Sequence, residues 1–345
     1  MIDWTLPLWG EVLVFGATAA AIGFAGTRLA RYADRVADRT GLGEALTGTV
    51  MLGAITALPG LTASVVAALD GRASLAISNA LGGIAIQTVA LAGADVAYPK
   101  ANLEHAAASA PNLVQTLALV LLLTVTLTGF AGPDVTVGHV HPSTFLLVAF
   151  AGAAFWLVYL TRERPMWRPR ETTLTVRDEP DPEYERSSIA RLAAGVVGTS
   201  LVTALAGAAV EESAENLVVL TGIPEAVVGG LFLAGATSLP ELVTSVSAVR
   251  EEALTLAVSD IVGGNFFDVL FVAAADVAFI GGSLYHAPGV GNREIFLVAL
   301  TILLNLVLLG GLLHRQEGGP ARIGVEGVLM IGLYLGGFLV LSLAM

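Results

Sequence analysis

The chain has 345 residues, of which 55% are hydrophobic and 13% are charged, and its formal net charge is −12. This composition excludes an ordinary soluble domain and indicates a membrane protein with several spans. The absence of cysteine excludes disulfides, thiolate metal sites and cysteine nucleophiles, and without a basic surface we expect no nucleic-acid partner.

Apolar runs near twenty residues in length predict an all-α integral membrane fold with about ten transmembrane helices. In chain order they cover residues 8–30, 44–69, 73–97, 111–132, 142–161, 189–210, 223–249, 253–279, 293–314 and 323–344. The connections are short except for residues 162–188, which are polar, rich in proline and mixed in charge. We therefore predict two five-helix halves, 1–161 and 189–345, joined by a linker loop.

The distribution of Lys and Arg predicts the orientation of the chain in the cell membrane. If the linker loop is cytoplasmic, fifteen of the seventeen basic residues lie on the cytoplasmic side, and only Arg72 and Arg293 lie outside. Both termini are then outside. A wrong number of spans would scramble this division, so the split also supports the predicted layout.

The two halves contain a repeat that is separated by 181 residues. Residues 48–97 and 229–278 align without a gap and share 19 identities in 50 positions, within predicted repeats at 44–97 and 225–278. The shared residues include Thr56 and Thr237, Pro59 and Pro240, Ser64 and Ser245, Gly82 and Gly263, and Asp95 and Asp276. The copies are offset by five spans, an odd number, so they must be inserted in opposite senses. Inverted repeats of this kind occur in secondary transporters, whose sites lie where broken helices meet.

Each copy carries a proline in the middle of an apolar helix, which predicts a break there. In the second copy two carboxylates, Glu241 and Asp268, lie near this break and in the following helix. A carboxylate in hydrocarbon costs roughly 2.5–3.5 kcal/mol or more, so its presence predicts a function. Oxygen ligands of this kind suit hard cations such as Na⁺ and Ca²⁺.

Two segments of the second copy resemble signature segments of the cation/calcium antiporter superfamily, whose sodium/calcium exchangers carry two such repeats. GATSLPE at 235–241 is similar to G-x-T-S-x-P-E, and SDIVGGNFFD at 259–268 is similar to G-N-x-x-G-S-N-x-x-[ND]. The resemblance implies that Glu241 and Asp268 coordinate the ion and that Thr237 and Ser238 add oxygens. We place Thr56 and Gln87, from the first copy, in the same metal site.

The first copy departs from this pattern. It has Gly60 where the family has Glu, Ala57 where it has Ser, and Gln87, an amide, at the last ligand position. Both copies have glycine, Gly83 and Gly264, where the family has Ser. Two acids therefore remain, both from the second half, and together they balance one Ca²⁺, two Na⁺ or two protons.

We predict a secondary active cation antiporter that exchanges Ca²⁺ or another cation against Na⁺ or H⁺ by alternating access. We expect no enzymatic activity and no cofactor, with inorganic cations and the lipid bilayer as partners. The alternatives are a Na⁺/H⁺ antiporter, a degenerate exchanger with another substrate, a channel, and a membrane-embedded aspartyl enzyme that uses Asp260 and Asp268.

Other acidic and amide residues have simpler structural explanations. Asp260 and Asn265 are expected to pack or cap helices, and Asp95 and Asp276 to be solvated or to cap them. The sixth predicted span ends in an acidic cluster, for which we expect a solvated rim, the alternative being a funnel that concentrates cations. The cluster consists of Glu211, Glu212 and Glu215.

Overall fold

The computed structural model describes residues 6–40, 53–163, 188–250, 254–319 and 323–343, apart from residues 55, 99 and 108, together with residues 169, 170, 172, 173 and 175. Its main helices are α1 (Leu8–Thr40), α2 (Leu58–Leu69), α3 (Ala73–Ala97), α4 (Ala110–Ala131), α5 (Pro142–Glu163), α6 (Ile189–Thr221), α7 (Glu225–Thr237), α8 (Leu239–Arg250), α9 (Leu254–Ala278), α10 (Asn292–His314) and α11 (Val325–Leu343). Single helical turns, Leu103–Ala106 and Leu284–His286, follow α3 and α9.

Eight of the described helices are long and apolar enough to cross a membrane, and α7 and α8 together form a ninth, bent span. These nine agree with nine of the ten predicted spans. The remaining predicted span, 44–69, falls partly on residues 44–52, which lie outside the described residues, and its second half is α2.

Two helices are longer than their apolar runs predicted. α1 continues from residue 30 to Thr40, and α6 continues from residue 210 to Thr221. The polar continuation of α6 is partnered inside the protein, because Ser213 and Asn216 donate hydrogen bonds of 3.1 Å to the buried carboxylate of Glu11 on α1. The prediction of a solvated rim is wrong for Glu211, the first residue of the acidic cluster, because its side chain is fully buried.

Two equivalent glycine–proline contacts fix the position of α1 and α6. A Cβ atom added to Gly26 of α1 would lie 2.2 Å from Cγ of Pro240, and one added to Gly207 of α6 would lie 2.5 Å from the carbonyl oxygen of Pro59. Both pairs of equivalent residues are 181 positions apart. Because only glycine permits such close approach, the first helix of each half packs against the proline segment of the other half.

Asp95 and Asp276 are buried at equivalent positions near the ends of α3 and α9, and each caps the turn that follows. Oδ1 of Asp95 accepts a hydrogen bond of 2.7 Å from the amide of Leu103, and Oδ1 of Asp276 accepts one of 2.8 Å from the amide of Leu284. The expected capping role is therefore observed, in buried and not solvated surroundings. Because Leu103 and Leu284 are also 181 positions apart, the two equivalent caps show that the repeat extends beyond the aligned residues, to 103 and 284.

One pair of equivalent residues in these turns differs in chemistry, Glu104 in the first half and Tyr285 in the second. Glu104 is buried, and its burial together with the nearby carboxyl groups of Asp95 and Glu326 raises its pKa to about 8, from an ordinary 4.5. The folded protein therefore retains a proton that the unfolded chain releases, and stability falls as pH rises from about 4.5 through about 8.

We expect the Glu104→Gln variant to lose most of this decline, because an amide does not titrate. In detergent, the thermal unfolding midpoint of the unaltered protein should fall by several degrees between pH 6 and pH 9, and that of the variant should fall less. Equal declines in both proteins would contradict the assignment of the titration to Glu104.

Candidate functional site

The break between α7 and α8 sets the position of the predicted site. The two helices are bent by 50° at Ser238, and the preceding residues Val228–Leu233 form a π-helical segment. Pro240, in the first turn of α8, lacks an amide donor and its ring clashes with the preceding turn, which accounts for the break. In the first copy, α2 likewise begins next to its proline, Pro59.

Five of the six predicted site residues meet in one cavity of about 10 Å³, which is close to the volume needed for one water molecule and suits a single dehydrated cation. They come from three segments of the fold: α3, α9 and the break between α7 and α8. The sixth, Thr56, is also buried, and its hydroxyl donates a hydrogen bond of 3.2 Å to the carbonyl oxygen of Gly53. The five residues that line the cavity are Gln87, Thr237, Ser238, Glu241 and Asp268.

Gln87 joins the two halves at this cavity. Its Nε2 atom donates a hydrogen bond of 2.8 Å to Oδ2 of Asp268 and one of 3.0 Å to Oγ of Ser238. Gln87 and Asp268 are themselves equivalent residues, 181 positions apart. Since two equivalent residues can touch only near the axis that relates the two copies, the cavity lies where the repeats meet.

The cavity concentrates negative charge without a basic side chain beside it. Glu241 is 1% exposed and Asp268 is 3% exposed, and none of the described residues that line the cavity is Lys or Arg. Oε2 of Glu241 has no hydrogen-bond partner within the described protein. A buried pair of carboxylates of this kind must be neutralised by protons or by a bound cation. The arrangement can therefore hold one or the other in competition.

Asn79 is a residue of this cavity that the sequence prediction missed. Its Oδ1 accepts a hydrogen bond of 3.2 Å from Thr237, and its Nδ2 donates one of 3.1 Å to the carbonyl oxygen of Gly60. The available signal was the alignment of Asn79 with Asp260, which places a polar side chain at the same point of both copies. Asp260 does not line the cavity and accepts a hydrogen bond of 2.8 Å from Thr244.

Asn265 has the packing role that was expected of it. It is fully buried, and its Nδ2 donates a hydrogen bond of 3.0 Å to Oγ1 of Thr88. This contact joins α9 to α3, so it holds the two central helices of the repeats together beside the cavity.

The departures of the first copy have a steric explanation. A Cβ atom at Gly60 would lie 2.8 Å from Cε2 of Phe271, so the aromatic ring occupies the space into which an acid would extend. A Cβ atom at Gly83 would lie 3.0 Å from Oδ2 of Asp268 and 3.5 Å from Oγ of Ser238. Glycine at position 83 thus leaves room for these two oxygens, and Phe271 replaces the missing acid with an apolar wall.

Comparison with known proteins identifies relatives along most of the chain. The family described as sodium/calcium exchanger protein matches residues 10–163 and 191–344. Inner membrane protein YrbG of Escherichia coli (strain K12) is 26% identical over 306 residues, which cover 88% of this chain and 88% of that protein.

Solved exchanger structures share the fold. The H⁺/Ca²⁺ exchanger CAX matches with a TM-score of 0.68 at 14% identity, over 99% of this chain and 86% of that chain. The sodium-calcium exchanger NCX_Mj, soaked with 10 mM Na⁺ and zero Ca²⁺, matches with a TM-score of 0.62 at 16% identity, over 95% of this chain and 98% of that chain. The predicted all-α, exchanger-like membrane fold is confirmed.

Proposed function

The chain belongs to the sodium/calcium exchanger protein family and is a cation antiporter, and from that premise we propose that it exchanges Ca²⁺, or another hard cation, against Na⁺ or H⁺ by alternating access. The observation that carries the proposal is the pair Glu241 and Asp268, buried in one small cavity where the two repeats meet. Family membership also sets aside the alternative of an aspartyl enzyme.

Competition for the two carboxylates supplies the coupling. Two negative charges balance one Ca²⁺, two Na⁺ or two protons, and the cavity is too small for a hydrated ion. Binding of one cation species therefore displaces the other. Hydroxyl oxygens from Thr237, Ser238 and Thr56 and the amide oxygen of Gln87 supply neutral ligands, as Ca²⁺ and Na⁺ require. The transported cations are substrates, and the proposal requires no cofactor.

A Na⁺/H⁺ antiporter is the second candidate, and the structure of the first copy favours it. Gly60 removes a carboxylate from the site and Gln87 replaces another. A site with fewer negative charges binds divalent cations less tightly. Monovalent exchange therefore remains compatible with the same geometry.

Flux measurements in proteoliposomes distinguish these candidates. With purified protein and an imposed outward Na⁺ or H⁺ gradient, we expect uptake of ⁴⁵Ca²⁺ that unlabelled Ca²⁺ and external Na⁺ reduce. Movement of Na⁺ and H⁺ with no response to Ca²⁺ would favour the monovalent antiporter. No gradient-driven movement of any of these cations would contradict the proposal.

We further propose that the halves 1–161 and 189–345 are inserted in opposite senses, with the linker 162–188 cytoplasmic and both termini outside. The charge distribution supports this orientation. Arg72 and Arg293, the two basic residues assigned to the outside, line one pocket. Arg315, at the other end of α10 from Arg293, donates a hydrogen bond to the carbonyl oxygen of Arg170, within the linker.

The lack of native cysteine makes this orientation directly measurable. Val135→Cys and Glu317→Cys each introduce one exposed thiol, on loops assigned to the outside and to the cytoplasm. In intact cells, we expect a membrane-impermeant maleimide to label the Val135→Cys protein and to label the Glu317→Cys protein only after permeabilisation. The reverse pattern would invert the proposed orientation, and labelling of both in intact cells would contradict it.

A further inference from the structure

An open pocket of about 560 Å³ lies away from the transport cavity, beside the turn that joins α2 to α3. Asp70 and Arg72 of this turn line it, together with Glu215 at the end of α6 and Glu225 at the start of α7. None of these residues lines the transport cavity. The pocket is therefore a second polar region that the proposed exchange mechanism does not use.

Glu211 lies next to this pocket and is the unusual member of the group. Its side chain is fully buried, and neither Oε1 nor Oε2 has a hydrogen-bond partner within the described protein. A carboxylate without donors in such surroundings is strongly disfavoured unless a proton or a cation neutralises its charge. Carboxylate oxygen atoms of Asp70, Glu211 and Glu215 lie within 4.8 Å of one another. The negative charges of Asp70 and Glu215 therefore repel a charge on Glu211 and do not stabilise it.

The charges around the pocket do not compensate each other. Arg72 pairs with Glu215 at 2.5 Å and with Glu225 at 2.8 Å, and these contacts raise its pKa above its ordinary value against the opposing effect of burial. Asp70 and Glu211 remain in excess after these pairs form. Even with Arg293, which also lines the pocket, four carboxylates face two guanidinium groups. When all four carboxyl groups are ionised, the excess of two negative charges equals the charge of one divalent cation.

We propose that Asp70, Glu211 and Glu215 form a second cation site, which binds a hard divalent cation such as Ca²⁺ from the pocket. Asp70 is exposed, Glu215 is partly exposed and Glu211 is buried, so the three carboxylates lead from solvent to the interior. One oxygen from each, completed by water from the open pocket, gives the oxygen-rich environment that Ca²⁺ prefers.

A cation bound there also ties together elements that border the transport cavity. Asp70 directly follows α2, whose Gly60 lines that cavity, and Glu211 lies one turn beyond Gly207, which packs on Pro59. The second site therefore links α6 to the α2–α3 turn. It does not depend on which ions are exchanged.

Equilibrium binding of ⁴⁵Ca²⁺ to the purified full chain tests the proposal. In a Glu241→Gln, Asp268→Asn background, which lacks both transport carboxylates, we expect one Ca²⁺ still to bind. Adding Glu211→Gln should weaken this binding about tenfold or more, because fewer ligand charges lower Ca²⁺ affinity. Glu212→Gln, which alters an exposed acid on the same helix, should leave the affinity unchanged within about twofold.

Loss of all Ca²⁺ binding in the background protein would overturn the second site without affecting the proposed exchange. So would binding that Glu211→Gln leaves unaltered. If Glu211→Gln gives an aggregated protein, Asp70→Asn, which changes an exposed residue of a turn, should cause the same loss. Unaltered affinity in that variant would equally overturn the proposal.

Discussion

Replacing Glu241 with glutamine should abolish cation exchange while the protein still folds and inserts. The substitution keeps the size of the side chain but removes one of the two carboxylates in a cavity where each is almost fully buried. Removing a buried carboxylate that pairs with the bound cation typically costs about 3–5 kcal/mol, which corresponds to a loss of cation affinity on the order of 10²–10⁴-fold. The measurement is ⁴⁵Ca²⁺ or ²²Na⁺ flux in proteoliposomes with equal amounts of folded protein.

Asp134→Asn is the matched control for this prediction. Asp134 is 67% exposed in the loop between α4 and α5, so its substitution changes the net charge equally without altering the cavity. We expect its flux to equal that of the unaltered protein, and we expect Asp268→Asn to behave like Glu241→Gln. Full exchange by the Glu241→Gln protein would remove Glu241 from the transport site.

The sequence predicted those parts of the fold that depend on local pattern. α3 begins and ends at the predicted residues, because apolar length and flanking polar residues determine where such a helix can cross. The break near Pro240 follows from the chemistry of proline alone. The convergence of Gln87 with Asp268 followed from the repeat, since two inverted copies must meet at a shared axis.

The parts that were missed depend on contacts between distant segments. The sixth span was predicted to end at residue 210, before Glu211, because the sequence does not show that Glu11, on another helix, binds Ser213 and Asn216. Asn79 was overlooked because its partner Thr237 lies in the other half. The reason for Gly60 was also hidden, since Phe271 approaches it from the second half of the chain.

Phe271 leads to the second prediction with a large expected effect, which concerns restoring the missing acid of the first copy. Gly60→Glu alone should give little folded or active protein, because its Cβ atom would lie 2.8 Å from the Phe271 ring in a packed interior. Combining it with Phe271→Ala removes the ring and leaves space for the new carboxylate. Position 60 is the equivalent of Glu241 and lines the same cavity, so the double variant should carry three acids around one ion.

A third carboxylate should strengthen binding of a divalent cation more than that of Na⁺, because attraction scales with the product of the charges. We expect the Gly60→Glu, Phe271→Ala protein to bind Ca²⁺ at least about tenfold more tightly than the Phe271→Ala control, as measured by isothermal titration. Equal affinity in these two proteins would mean that the first copy does not contribute to the cation site. A folded and fully active Gly60→Glu single variant would mean that Phe271 does not fill the space of the missing acid.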